Sequence, residues 1–441
     1  MSSVIWLHLV VVVVFMVIGA RMGGIGVGLA GGAGVGMLAA TGLEVDPGED
    51  IPWTVIGIIV PVVCAVSALQ ASGGMDHLVH LTDRLLRKHP GQINYLGPGV
   101  SFVLTALVGT GHTVYSILPV IIDVSKERGI RPSRPLSMTV VASQVAIVAS
   151  PISAATLIMV GILKPLGVGY LKILAVTIPT TFIGCAVGAV VASRSGCELA
   201  DDPVYQERMA QGLVKQPIHV ADEDYRPAKG AIAALGIFFV GILAAVTYAT
   251  LVSKEVGLIK DPPMEGVAGV MTVMLTVAAL IVLTTKKDPA ELTQQSTFRA
   301  GMTAVVCILG VAWLGTTFID AYTDQIKDSI AGTLQGAPWL LAVFLYFLAP
   351  VLFSHAAATA AFMPVAASLG VSAVAMLACY PAVSNYYLLP TYPTTVAAID
   401  MDDTGSTRVG KTVLNHPFVI PGTVAIVVTV ILGFLWAPIV L

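Results

Sequence analysis

The stretch VGTGHTVYSILP, from Val108 to Pro119, sets the reading of this chain. It holds two glycines, two threonines, a histidine and a tyrosine inside a sequence that is otherwise strongly apolar. Of the 441 residues 56% are hydrophobic and only 11% charged, where a soluble domain has about a quarter charged. Runs of about 20 apolar residues suffice to span a bilayer, and the chain contains many. The composition points to an all-α polytopic membrane protein. A β-barrel would show short alternating segments instead. The question is what a polar, glycine-broken segment does at membrane depth.

The loops answer it. The coarse spans are 4–20, 25–41, 53–69, 93–122, 136–163 and 168–192, then 230–252, 266–283, 300–318, 338–369, 371–399 and 419–440. The loops at 21, 73–92, 123–135, 193–229, 286–299 and 400–417 hold 18 of the 23 Lys and Arg residues. Lys/Arg-rich loops face the cytoplasm, so both termini are expected outside. The loops at 73–92 and 123–135 then lie on the same side, separated by only 30 residues. Two crossings need about 40 residues, so 93–122 is too short to cross twice and too long to cross once. A re-entrant hairpin from the cytoplasmic side resolves this, with its turn at Gly109, Thr110, Gly111 and His112. The 32 residues of 338–369 read as a second hairpin, from the outside, turning at Ser354 and His355. Each hairpin precedes a proline-interrupted segment: 136–163, broken at ASPIS (149–153), and 371–399, broken at NYYLLPTYPTT (385–395).

The two halves thus share one plan in opposite orientations: residues 1–192 and 230–441, joined by a cytoplasmic linker at 193–229. An inverted-topology repeat is the mark of a secondary transporter. Non-helical backbone at membrane depth is tolerated where it is buried in protein or lines a cavity, so the four breaks are expected to converge near the midplane. Ser150 followed by Pro151 reads as a hydroxyl cap with proline at the first helical position. Pro393 suggests a second such start. Helix N-termini favour anions through unpaired N–H groups and the helix dipole. No Arg lies in a span interior, so hydroxyl and backbone donors would hold a ligand that must leave again. The candidate binding residues are Thr110, Gly111, His112, Thr113, Ser150, Pro151, Ser153, Ser354, His355, Pro390, Thr391 and Thr394. Tyr115, Tyr386, Tyr387 and Tyr392 are candidates for the cavity wall, and either histidine is able to carry a coupling proton.

Other chemistry is not indicated. The five cysteines (Cys64, Cys185, Cys197, Cys307, Cys379) have no metal-site or disulfide spacing. The stretch SGGMDHLVHLTDRLLRKHP (72–90) reads as an interfacial amphipathic helix rather than a metal site. DMDDTGS (400–406) lacks the glutamate that a calcium loop needs. Neither Ser150 nor Ser354 has a hydrolase nucleophile context, so no enzyme, metal or cofactor is expected, and the coupling ion, H+ or Na+, stays open.

LQASGGMDHLVHLTDRLLRKHP, GTGHTVYSILPVIIDVSKERGIRPSRP, VASPIS and YYLLPTYPTTVAAIDMDDTGSTRVGKTVLNHPF resemble the anaerobic C4-dicarboxylate transporter (Dcu) family along nearly the whole chain. At the second tip the chain has Phe353-Ser354-His355-Ala356-Ala357 where the family carries an amide-bearing, NSQAA-like stretch. The resemblance implies a bacterial inner-membrane carrier of fumarate, succinate, malate and L-aspartate. It would exchange external fumarate or aspartate for internal succinate in anaerobic respiration. A Na+- or H+-coupled symporter is the alternative. The wider ion-transporter superfamily implies a homodimer with an elevator-like transport domain. The partners expected are a small dicarboxylate, the lipid bilayer and a sensor kinase, and no nucleic acid.

Overall fold

The computed structural model describes residues 3–22, 25–51, 53–214, 225–252, 259, 262–264, 266–326, 336–352, 354–390, 392–412 and 414–441. Thr391 and Phe353 lie outside them, as do 215–224 of the linker. The first half contains α1 (Ser3–Met22), α2 (Gly26–Ala40), α3 (Trp53–Ala71), α4 (Gly74–Lys88), α5 (Ile93–Val108), α6 (Leu118–Glu127), α7 (Ser133–Val145), α8 (Ala154–Leu163) and α9 (Tyr170–Ser193). A short helix α10 (Pro203–Ala210) follows in the linker. The second half contains α11 (Ala231–Val252), α12 (Gly266–Thr285), α13 (Ser296–Cys307), α14 (Trp313–Ile326), α15 (Leu340–Leu348), α16 (His355–Ser368), α17 (Ala373–Cys379), α18 (Pro393–Met401) and α19 (Val419–Val440). Among the described residues six helices are long and apolar enough to cross a membrane, or seven if one bent pair is counted as a span. That pair is α3 and α4, which meet at 68°. The bend falls at Gly73, whose φ of 76° suits a residue without Cβ.

The helices form two groups. α1, α2, α3, α11, α12 and the α13–α14 rod pack mainly on one another. α5 to α9 and α15 to α19 form the second, in which α9 lies along α19 and α5 along α7. The chain passes from one group to the other at α4, between α9 and α11, and between α14 and α15. Small residues let the helices approach closely, as in other membrane bundles. A Cβ at Gly310 would lie 1.8 Å from the carbonyl oxygen of Gly28, so α2 meets the rod backbone to backbone.

The rod departs from the expected span of 300–318. It runs from Ser296 to Ile326, with a π-turn at Ile308–Ala312 where Gly310 meets α2. An extra residue in a turn shifts the faces on either side of it, and such turns mark places where packing overrides regular geometry.

The segment 93–122 folds as α5, a glycine turn and a 3₁₀ turn (Gly111–Ser116) leading into α6. The segment 338–369 folds as α15, a 3₁₀ turn and α16. The two proline-interrupted segments are α7–break–α8 and α17–break–α18. At one end of the second group, buried polar contacts tie its loops to the linker. Asp202 caps α10 through Val204 N–H and pairs with Arg131 at 2.8 Å and Arg408 at 3.4 Å. Lys126 pairs with Asp403 at 3.1 Å, and Arg208 Nε donates to the Asp403 carbonyl. The DMDDTGS stretch ends α18: the buried Asp402 carboxylate accepts from Thr404 N–H and Oγ1, Ser406 Oγ and Thr407 N–H.

Candidate functional site

A cavity of about 420 Å³ lies between the two groups. α3 supplies an apolar wall of Ile59, Val62, Val63 and Val66, and α13 adds Thr297, Gly301 and Thr303. The facing wall comes from the breaks in the second group. Gly109, Thr110, Gly111 and His112 come from the α5–α6 turn, and Ile147, Ile152, Ala154 and Ala155 from the first break. Ser354, His355 and Ala356 begin α16, and Tyr392 and Pro393 begin α18. No Asp, Glu, Lys or Arg is among the lining residues.

The local geometry follows from the sequence. Gly109 closes α5 with φ 79°, its N–H donating to Thr105 O at 2.8 Å. A Cβ at Gly111 would stand 2.9 Å from the Ser143 carbonyl, so this tip is seated against α7 by having no side chain. Thr110 caps the 3₁₀ turn, accepting from His112 N–H at 3.3 Å. The His112 side chain is exposed at the cavity, and its ring stacks on Tyr115 with centroids 5.8 Å apart. Thr113 is buried in the turn, bonded to Thr105 Oγ1 and Thr110 O, and does not line the cavity.

The first break corrects the sequence reading. Helix α8 starts at Ala154 and not at Pro151, and its cap is Ser153, whose Oγ accepts from Thr156 N–H at 3.2 Å. Ser150 instead donates to the Ala106 carbonyl of α5 at 2.8 Å, tying the break to the α5–α6 pair. Its hydroxyl donates to a partner 44 residues away and accepts from Ile152 N–H at 3.3 Å, the Pro151 carbonyl accepts from Tyr170 Oη, and neither residue opens a helix. Ser153 also donates to Ile147 O at 2.6 Å. Ser150, Pro151 and Ser153 therefore stand behind the lining, holding the N-terminal turn of α8 (Ala154 and Ala155) at the cavity.

In the second half Ser354 caps α16 through Ala357 N–H at 3.2 Å, and His355 lies 5% exposed at its first position. The His355 ring packs on Tyr386 at 4.4 Å and on Tyr392 at 6.4 Å. Pro393 starts α18 as expected from its place after Tyr392. Thr394 is buried and accepts from Gln144 Nε2 at 3.2 Å, and Pro390 sits half-buried in the unwound stretch away from the lining. Gln144 escaped the sequence reading. A lone amide in the apolar run ASQVAIVAS was the available signal, and it bridges the two breaks. The contribution of α3 left no local signal, because its lining is ordinary apolar helix, and Thr297, Gly301 and Thr303 of α13 lie away from the proline and glycine breaks that marked the other lining segments.

Three α-helices, α8, α16 and α18, thus present first-turn residues to one uncharged cavity, together with the glycine turn of α5–α6. Their unpaired N–H groups make such a place receptive to anions. The whole fold is similar to solved transporter structures. YdaH of Alcanivorax borkumensis matches with TM-score 0.55 over 99% of this chain and 98% of that one, at 14% identity. MtrF of Neisseria gonorrhoeae, described with a class of antimetabolite efflux pumps, matches with TM-score 0.55 over 85% and 80% of the two chains, also at 14% identity. The likeness is one of fold, an all-helical, polytopic architecture.

The family model described as anaerobic C4-dicarboxylate membrane transporter matches residues 4–441, and the chain belongs to that family. The C4-dicarboxylate transporter DcuA of Wolinella succinogenes is 50% identical over 434 residues, covering 98% of this chain and 99% of its own. DcuA of Escherichia coli K12 is 45% identical over 428 residues, covering 97% and 98%. The anaerobic C4-dicarboxylate transporter DcuB of Escherichia coli O6:H1 is 34% identical over 442 residues, covering 98% of each. The protein is a transporter and not an enzyme.

Proposed function

We propose that this chain carries C4-dicarboxylates such as fumarate, succinate, malate and L-aspartate across the bacterial inner membrane, exchanging one dicarboxylate for another by alternating access. The observation that carries the reading is an uncharged cavity served by two separate tips, at Thr110–His112 and at Ser354–His355. A dicarboxylate has two anionic ends, and each tip offers one end main-chain and side-chain donors. Each half also has the same order: helix–turn–helix, broken helix, long helix. This order supports an inverted repeat with re-entrant hairpins at 93–122 and 338–369, and with both termini outside.

The lack of fixed charge bears on coupling. A dianion entering alone against a negative-inside potential of 100 mV does work of about 5 kcal/mol, from about 2.3 kcal/mol per charge. Exchange of one dianion for another moves no net charge through an uncharged site. The second helix group, which contributes every break, is the moving element in this reading, and the α3/α13 wall stands still. The carrier would work as a homodimer.

Reconstituted liposomes test the reading. Uptake of labelled fumarate should require unlabelled succinate inside, and should be indifferent to a valinomycin-set potential and to Na+. Efflux of preloaded succinate without external dicarboxylate, following a Na+ or proton gradient, would make the chain a coupled symporter instead.

A further inference from the structure

A second cavity, of about 620 Å³, opens between α1 and α14 of the first group and α15 and α16 of the second. No charged side chain, hydroxyl, amide or imidazole is among its lining residues. Trp6, Val13, Val17 and Phe344 line it and are exposed, so it opens sideways, toward the bilayer around these helices. Leu352 is 1% exposed and lines both this groove and the substrate cavity, two residues before Ser354. One side chain is thus a wall common to both.

The chemistry and shape of the groove select its occupant. A dicarboxylate would lose water at both ends and gain no donor there. The length is that of one leaflet: from Ile5 to Val17 the lining follows α1 for about 18 Å, at 1.5 Å per residue, and half of a hydrocarbon core is about 15 Å. Trp6, near the start of α1, and Trp339, directly before the lining residue Leu340, are exposed. Tryptophan favours the headgroup level, which puts the mouth of the groove there. Gly315 of α14 also lines the groove, and a Cβ on it would meet one atom, the Ala361 carbonyl oxygen at 3.8 Å. Neither a positive φ nor a close helix contact requires glycine at this position, in contrast to Gly310. The space it leaves is open to an atom from outside the chain.

We propose that this groove binds one acyl chain of a membrane phospholipid. The chain backs Leu352 and closes the seam between the two helix groups behind the Ser354–His355 tip. The site follows from the apolar helices around it and does not depend on which solute is carried.

The test titrates detergent-purified protein with phosphatidylcholine brominated on its acyl chains, which quenches tryptophan on contact. Quenching should saturate, and most of the saturable part should vanish in Trp6→Phe. Gly315→Leu and Val13→Phe put side chains into the groove. Each should weaken the apparent lipid affinity at least about tenfold, the cost of shutting about two methylenes out of an apolar site. Gly32→Leu, on an equally open glycine outside the groove, should titrate as the unaltered protein does. Both groove variants should keep the unaltered protein's melting temperature in lipid-free detergent, since Val13 is exposed and a Cβ at Gly315 has room. Where one does not, the other decides, and a fall in both means that protein fills the groove and overturns the inference. Quenching that never saturates reports shared micelles only and also overturns it. So does saturable quenching that survives Trp6→Phe or both groove variants, or that Gly32→Leu weakens equally. A change from dimer to monomer in Gly315→Leu with quenching unaltered would make the groove an interface between copies instead. Failure of the unaltered protein to exchange dicarboxylates would overturn the dicarboxylate reading and leave this site standing.

Discussion

Ser150 and Ser153, three residues apart, do different work, and the difference is measurable. Ser153 caps α8 and donates to Ile147 O, all while 1% exposed. Ser153→Ala should destabilise the protein by about 1–2 kcal/mol, the range for losing a helix cap, read as a lower melting temperature. Ser150→Ala removes the bond to Ala106 O between the break and the α5–α6 pair. It should slow transport severalfold with a smaller thermal shift, because the tip's seat loosens while α8 keeps its cap. The sequence pattern favoured Ser150, since a serine before proline is a strong local start. What decided otherwise was a carbonyl on another helix, and no local pattern reports such a partner. Ser153 was within reach of the same reasoning, being a hydroxyl directly before an unbroken apolar run. Thr113 and Thr394 illustrate the same limit. Both are polar and sit in the expected segments, yet both turn inward to bond protein.

At the scale of elements, the sequence was most legible where one residue type has one use. Gly109 closes α5 with positive φ, and Pro393 opens α18. Spans 4–20, 53–69, 230–252 and 419–440 each coincide with one helix to within about two residues, because a long uncharged apolar run has no other stable form in a bilayer. The α13–α14 rod was less legible. Its first turns contain Arg299 and its last turns Asp320, so the charge pattern shortened the expected span, and the π-turn arises from contact with α2. Gly310→Ala tests that contact. A methyl group 1.8 Å from the Gly28 oxygen must push α2 and the rod apart, so the variant should lose at least about 2 kcal/mol, from the usual cost of overpacking. The fall in melting temperature of detergent-purified protein checks it.

For the whole molecule, the division into two helix groups was not readable from hydropathy, because every span looks alike in composition. It depends on which helices share faces, a long-range property. If the groups move relative to each other, a disulfide between α3 and α8, introduced after Cys64 is replaced, should abolish exchange. Succinate binding should survive within about threefold, since the breaks stay on one body. Reduction should restore transport. Retained exchange in the cross-linked protein would mean that the substrate crosses without relative motion of these helices.

The connector α4 sets a length on any such motion. It is a helix of 15 residues, leaving α3 at the 68° bend by Gly73 and handing the chain to α5 through Pro90 and Gly91. At 1.5 Å per residue it is a stiff arm of about 22 Å. Pivoting it by roughly 30° about the Gly73 end displaces the far end by about 11 Å, by the same helical rise. The linker holds that arm from the side, where Tyr225 stacks on His80 at 3.8 Å and on His77 at 6.0 Å. If the second helix group moves, its reach would depend on lever length and on how firmly one tyrosine grips two histidines, and lengthening α4 by a turn should lengthen the stroke.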